Sequence, residues 1–226
     1  MDRNVLSAAF HVTIPVLMGY LAIGMAFGLM MDSAGYNVFW ALLMSLIIYA
    51  GAGQYMGVTL LAAGASPLQT ALMTLLLNFR HMFYGLSMLE KFRGMGLRKL
   101  YMIFSLTDET YALLASAKAP EGVREKDYYL AIALMDHSYW VLGTVLGSLL
   151  GSALSFDTTG VDFAMTALFI VIAVGQWKGT RNHLPAAIGC LATLASLRLA
   201  GEDNMLILAL VVIVAALLVF SPKMPE

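Results

Sequence analysis

An arginine stands in the middle of an apolar stretch of this chain. Arg80, within Asn78-Phe79-Arg80-His81, lies well inside the segment 67–89. A segment of that length just crosses the roughly 30 Å hydrocarbon core of a bilayer, and Arg80 is too far from either end to serve as an end anchor. A permanent cation at the bilayer centre costs about 2.5–3.5 kcal/mol on insertion scales, so the fold has to supply a partner. Asp108, Glu109 and Asp136 are the acidic candidates in apolar surroundings.

The composition agrees with a membrane setting, since 60% of the 226 residues are hydrophobic and only 12% are charged, far more apolar than a soluble domain. Thirteen Lys and Arg against fourteen Asp and Glu leave a net charge of −1, which offers no field for nucleic acid. The lone Cys190 lies in an apolar run, where a packed core thiol is expected. The first apolar run, 12–31, is longer than a signal-peptide core and reads as an uncleaved helix. No phosphate-binding GxxxxGKS or GxxxxGKT loop occurs, so ATP hydrolysis is not expected from this chain.

Eight apolar segments can be drawn, at 12–31, 38–63, 67–89, 100–116, 128–152, 163–177, 184–200 and 205–220. Pro67 after Ser66, and Pro185 after Leu184, suit first helical turns. Gly24-xxx-Gly28 and Gly143-xxx-Gly147-xxx-Gly151 provide smooth faces for close helix approach. Eight full crossings would put Lys91, Arg93, Arg98 and Lys99 on one side and Lys118, Arg124 and Lys126 on the other, against the positive-inside tendency. Parity is restored if segments 38–63 and 100–116 each enter and leave on one side. All the basic clusters, including Lys178, Arg181 and Lys223, are then cytoplasmic, with both termini. The expected fold is all-α: a single polytopic membrane domain over 1–226, with about six full crossings plus two re-entrant or broken helical elements. Gly51-Ala52-Gly53-Gln54 and Thr107-Asp108-Glu109-Thr110 are the expected break points, because glycine permits a bend and polar side chains satisfy the freed backbone.

Arg80 and Tyr84 are four apart and Asn78 and His81 three apart, so each pair shares a helix face. Arg80 serves either a substrate or coupling ion, or a purely structural ion pair between segments. Asp108 and Glu109, being adjacent, point about 100° apart on a helix; one acting as ligand and the other as cap fits them, as does a solvated pair at a hairpin tip. Asp136 and His137 lie within the fifth segment, with Asp136 and Trp140 on one face, where site and packing roles are both open. Gln54 can donate or accept in a polar cavity. The His and carboxylate residues lack HExxH or paired-Cys spacing, so no metal or other cofactor is expected.

Tyr49-Ala-Gly-Ala-Gly-Gln-Tyr, Leu61-Ala-Ala-Gly-Ala-Ser-Pro, Asn78-Phe-Arg-His-Met-Phe-Tyr-Gly-Leu-Ser and Thr107-Asp-Glu-Thr, in that order, resemble the AzlC family. That family comprises large subunits of bacterial branched-chain amino-acid exporters. The likeness also takes in Tyr139-Trp-Val-Leu-Gly-Thr and Asp162-Phe-Ala-Met-Thr-Ala-Leu-Phe. It implies secondary export of hydrophobic amino acids across the bacterial plasma membrane, in complex with a small AzlD-type membrane subunit. For a zwitterionic substrate the chemistry is suitable. A carboxylate meets Arg80 or the start of a half-helix near Gly53, with Gly51 nearby, while an ammonium meets Asp108, Glu109 or Asp136. Exchange of a proton on a membrane carboxylate would make the process antiport. The rivals are a membrane-embedded enzyme using the His and carboxylate cluster, and a structural subunit with no pathway of its own.

Overall fold

In a computed structural model of the chain, the described residues are 3–153 and 182–220, with positions 170, 174, 177 and 178. Every element among them is helical: α1 (Arg3–Ser33), α2 (Val38–Ile47), α3 (Gly51–Ala62), α4 (Pro67–Ser87), α5 (Arg98–Phe104), α6 (Asp108–Ser116), α7 (Glu125–Ala153) and α8 (Leu184–Phe220). The expected segment 163–177, apart from Ile170, Val174 and Trp177, lies outside the described residues, as do the connector 155–162, Arg181 and Lys223. Three described helices are long and apolar enough to cross a membrane: Arg3–Ser33, Glu125–Ala153 and Leu184–Gly201.

The chain divides into two compact units, Met1–Thr166 and Ala167–Glu226. In the second, α8 is broken at Gly201, whose φ of 69° ends one helix and begins another, in agreement with the separate runs 184–200 and 205–220. Cys190 is exposed here, not packed in a core as expected. A thiol in an apolar run looks the same in sequence whether it faces a neighbouring helix or the surface.

The first unit is built on α1 against α7, its most extensive contact. Inside a bilayer there is little water to expel between helices, so association rests on close packing and interhelical hydrogen bonds. The glycines provide the closeness. A Cβ on Gly28 would sit 2.2 Å from the Thr144 carbonyl oxygen, and one on Gly147 would sit 2.1 Å from the Met25 carbonyl oxygen. Around this seam Tyr20, Phe27, Tyr55 and Trp140 form a buried aromatic cluster. The Tyr55 hydroxyl donates to the Ile23 carbonyl at 2.8 Å. α1 starts nine residues earlier than its apolar run, because Val5 and Ala9 pack into a second core with Met102, Leu114, Tyr129 and Ile132.

Segments 38–63 and 100–116 are each broken into two short helices, as expected. α2 and α3 have 10 and 12 residues, α5 and α6 seven and nine, so each covers at most about 18 Å, little over half the hydrocarbon core. The first break differs in position from the one expected. It falls at 48–50, where Tyr49 takes a φ of 42°, and Gly51–Gln54 instead opens α3. The glycines serve packing there. A Cβ on Gly51 would meet the Trp140 ring at 3.3 Å, and one on Gly53 would meet the Asn78 amide at 3.5 Å. Ser66 caps α4 by accepting from the Gln69 N–H, with Pro67 in the first turn, as the sequence indicated.

Candidate functional site

The site grows from the start of α6. Thr107 has extended backbone (ψ 174°) and its hydroxyl accepts from the Thr110 N–H, capping the helix. The cap is thus Thr107, and neither Asp108 nor Glu109 takes that role. Both carboxylates fall in the first turn, where the helix dipole favours negative charge. Being consecutive they diverge, Asp108 toward α4 and Glu109 toward α1.

Asp108 divides its two oxygens. Its Oδ2 meets Arg80 Nη2 at 2.9 Å, and its Oδ1 accepts from the Tyr84 hydroxyl at 2.6 Å. Arg80 and Tyr84, one helical turn apart, therefore converge on one carboxylate, and the Tyr84 ring stacks on Tyr111 of α6 with centroids 4.4 Å apart. His81 does not join them by hydrogen bond; its Nδ1 lies 3.3 Å from the Asn78 carbonyl of its own helix.

Glu109 leads into a run of hydroxyls. Its Oε2 lies 2.8 Å from the Tyr20 hydroxyl, which lies 2.7 Å from Thr107 Oγ1. Thr107 Oγ1 is 3.1 Å from Thr110 Oγ1, and that oxygen is 2.9 Å from Asp136 Oδ2. Thr110 and Asp136 are fully buried, and Tyr20 and Thr107 nearly so. Asp136 Oδ1 and the Tyr49 hydroxyl, both buried, have no hydrogen-bond partner among the described residues.

A second polar network joins α2, α3 and α7. Trp140 Nε1 donates to Gln54 Oε1 at 2.9 Å, Gln54 Nε2 donates to Ser45 Oγ at 3.1 Å, and Ser45 donates to Thr144 at 3.0 Å. His137 stacks on Tyr49 with ring centroids 4.1 Å apart. Its Nε2 lies 3.1 Å from the Ser45 carbonyl, which can only accept, so Nε2 carries the proton. In the neutral ring Nδ1 then accepts from the Tyr101 hydroxyl, 3.0 Å away.

Of the expected residues, the structure thus brings Arg80, Tyr84 and Asp108 together and joins Glu109 to Asp136 through hydroxyls. Gln54 and His137 belong to the second network, and Gly51, Gly53 and Asn78 to its packing. Sequence reasoning missed Tyr20, Ser45, Tyr101 and Thr144. The signal available for Tyr20 was a phenol inside an apolar helix, since a buried Tyr hydroxyl usually finds a partner. Among the described residues no group of three His, Cys, Asp or Glu side chains converges as a metal site.

A helical membrane protein with broken helices around a half-buried ion pair is the class these features define. Residues 15–154 match the AzlC family, described as AzlC protein. The chain is 46% identical over 216 residues to an uncharacterized membrane protein of Helicobacter pylori strain 26695, covering 96% of this chain and 95% of that one. It is 39% identical over 219 residues to the branched-chain amino acid transport protein AzlC of Bacillus subtilis strain 168, covering 97% and 86%. To the inner membrane protein YgaZ of Escherichia coli K12 it is 33% identical over 190 residues, covering 80% and 77%. No solved structure matches the chain. The chain belongs to the AzlC family.

Proposed function

We propose that this chain is the large subunit of a secondary exporter of branched-chain amino acids in the bacterial plasma membrane, working as a proton-coupled antiporter with a small AzlD-type membrane subunit. The observation that carries the reading is the closed Arg80–Asp108 pair at the start of a broken helix, in a chain 39% identical to a branched-chain amino acid transport protein. An amino-acid zwitterion is suited to opening such a pair. Its carboxylate takes the Arg80 guanidinium and its ammonium takes Asp108, so one ion pair becomes two and neutrality is kept. Tyr84, already on Asp108, keeps that carboxylate in place during the exchange. Glu109 and Asp136, joined to each other through hydroxyls, are the carboxylates assigned to the coupling proton. Asn78, His81, Gln54, Gly51, Gly53 and His137 line or support this region in the same reading.

The reading treats 1–226 as one transporter domain of six crossings, with 38–63 and 100–116 as the broken elements and both termini cytoplasmic. It is supported by the position of the basic clusters and by the half-length helices. No chemical conversion is assigned to the chain. Proteoliposomes holding the chain and its small subunit, loaded with labelled valine, test it: a pH gradient should drive efflux, and efflux indifferent to the gradient refutes the coupling. Arg80→Ala separates transport from scaffolding. Protein that inserts normally but moves no valine supports the site, whereas protein that fails to accumulate marks the pair as structural.

A further inference from the structure

The run of oxygens from Glu109 to Asp136 contains four contacts: Glu109 to Tyr20 at 2.8 Å, Tyr20 to Thr107 at 2.7 Å, Thr107 to Thr110 at 3.1 Å, and Thr110 to Asp136 at 2.9 Å. Oxygens 2.7–2.9 Å apart need one hydrogen between them, and the 3.1 Å contact holds the hydrogen that Thr107 donates to Thr110. The three hydroxyls supply three, one each. The fourth has to come from a carboxyl group, and a fifth has nowhere to go, because two inward-pointing acids would set two hydrogens against each other within the run. We propose that Glu109 and Asp136 share one proton through a relay formed by Tyr20, Thr107 and Thr110. The inference deepens the proton-coupled reading above and rests on it for its purpose.

Two arrangements place one hydrogen in every contact. With the proton on Glu109, that acid donates to Tyr20, Tyr20 to Thr107, Thr107 to Thr110, and Thr110 to ionised Asp136. With the proton on Asp136, every donation runs the other way and Tyr20 donates to ionised Glu109; Thr110 Oγ1 then has to turn its hydrogen from Asp136 to Thr107, against the Thr107-to-Thr110 direction of the present geometry, which is that of the first arrangement. Moving from the first to the second breaks four O–H bonds and forms four: Glu109 passes its hydrogen to the Tyr20 oxygen as Tyr20 passes its own to Thr107, Thr107 to Thr110, and Thr110 to Asp136. Net charge is unchanged, and the negative charge moves from Asp136 to Glu109. The Thr110 N–H donates to Thr107 in either arrangement, which Thr107 accommodates as a donor of one and acceptor of two. The relay is closed to solvent from Tyr20 to Asp136, since Asp136 and Thr110 are fully buried and Tyr20 is 4% exposed, while the Glu109 end is half-buried.

The ionisable neighbours are compatible with one mobile proton. Around Glu109 stand Tyr20, Tyr49, Asp108, Arg80 and Asp136; around Asp136 stand Tyr20, Tyr49, Tyr101 and Glu109. Arg80 already faces Asp108 at 2.9 Å. An amino-acid carboxylate that draws Arg80 away from Asp108 changes the field at Glu109, one residue along, more than at Asp136, and so biases which end holds the proton. That is the coupling device an antiporter needs.

The test counts the proton without relying on transport. Infrared spectra of the full-length protein in lipid nanodiscs should show one protonated carboxyl in a dry environment. It should vanish in Glu109→Gln and equally in Asp136→Asn, because either amide supplies the inward-pointing hydrogen and leaves the other carboxyl ionised. A proton belonging to one acid alone survives in one of the two variants, and that result overturns the proposal, as does a wild-type protein with no such band or with two. Only variants eluting like wild type on size exclusion are scored. Should both amide variants fail that criterion, Thr110→Val and Thr110→Ser decide: Val should lose proton-driven valine efflux and Ser regain it, and coupled efflux persisting in Val overturns the relay. Wild-type efflux without proton movement, combined with loss of the band in both amide variants, would defeat the antiport reading while leaving the shared proton intact.

Discussion

Gly147→Ala adds one methyl group at the tightest point between α1 and α7, and the structure says what that group meets. Its Cβ would lie 2.1 Å from the Met25 carbonyl oxygen, 2.6 Å from Met25 Cα and 2.7 Å from its carbonyl carbon. All three are backbone, so no side chain can rotate aside. Ordinary contact begins at 3.4 Å, so the helices must part by 1.3 Å (3.4 − 2.1) at this point. A gap of 0.5–1 Å already forfeits about a quarter to a half of each dispersion contact along the seam, and overpacking of this kind costs about 1–3 kcal/mol. Because α1 carries Tyr20 and α7 carries Asp136, the same displacement stretches the hydroxyl run between Glu109 and Asp136. Gly19→Ala is the control: it lies on α1 with nothing within 4 Å of the new Cβ, and Ala for Gly in a helix is favourable by up to about 1 kcal/mol. That propensity gain is common to both variants, so reversible unfolding in mixed micelles, followed by tryptophan fluorescence, should separate them by the overpacking cost of about 1–3 kcal/mol. Equal midpoints would refute the account of close packing as what holds α1 to α7.

The remaining expectations concern the site, a cap and the topology. Tyr84→Phe removes the phenol donating to Asp108 at 2.6 Å, and hydrogen bonds to charged groups contribute about 1.5–3 kcal/mol; the apparent affinity for valine in efflux kinetics should change by about tenfold or more, and an unchanged affinity would remove Asp108 from the substrate site. Ser66→Ala deletes the α4 cap and should cost about 1 kcal/mol in the same unfolding assay without altering the ratio of protons to valine moved. In a chain whose Cys190 is first replaced by Ser, Lys91→Cys and Lys118→Cys should both resist a membrane-impermeant maleimide added from outside, while Ala65→Cys should react; external labelling of Lys118→Cys would break the proposed orientation.

What the sequence revealed and what it withheld follow from the range of the forces involved. Helix existence was legible because the length of an apolar run is set by bilayer thickness, and Ser66-Pro67 marks a helix start by local chemistry alone. The break in segment 38–63 was legible as a fact and misplaced in position, because Gly51 and Gly53 suggested a bend when they make room for Trp140 and Asn78, contacts that are long-range in sequence. The left-handed turn falls on Tyr49, a residue no local rule would choose; its ring stacks on His137, and tertiary packing outweighs the backbone penalty.

The partner of Arg80 was undecidable between Asp108, Glu109 and Asp136 because all three are chemically competent. The decision comes from the rotational phase of a nine-residue helix, and that phase is set by Thr107. Its hydroxyl caps α6 through the Thr110 N–H, which fixes where the first turn begins and sends consecutive carboxylates to different neighbours. Asp108 reaches the ion pair with Arg80, and Glu109 reaches Tyr20. The same oxygen also touches Tyr20 and Thr110, so the residue that orients the carboxylates is itself a link between them. A threonine here is therefore not exchangeable for the other good capping residues. Asp or Asn at 107 could cap α6, yet a carboxylate adds no hydrogen to the run and an amide fixes its direction, and either would disturb the count that lets one proton sit at both ends.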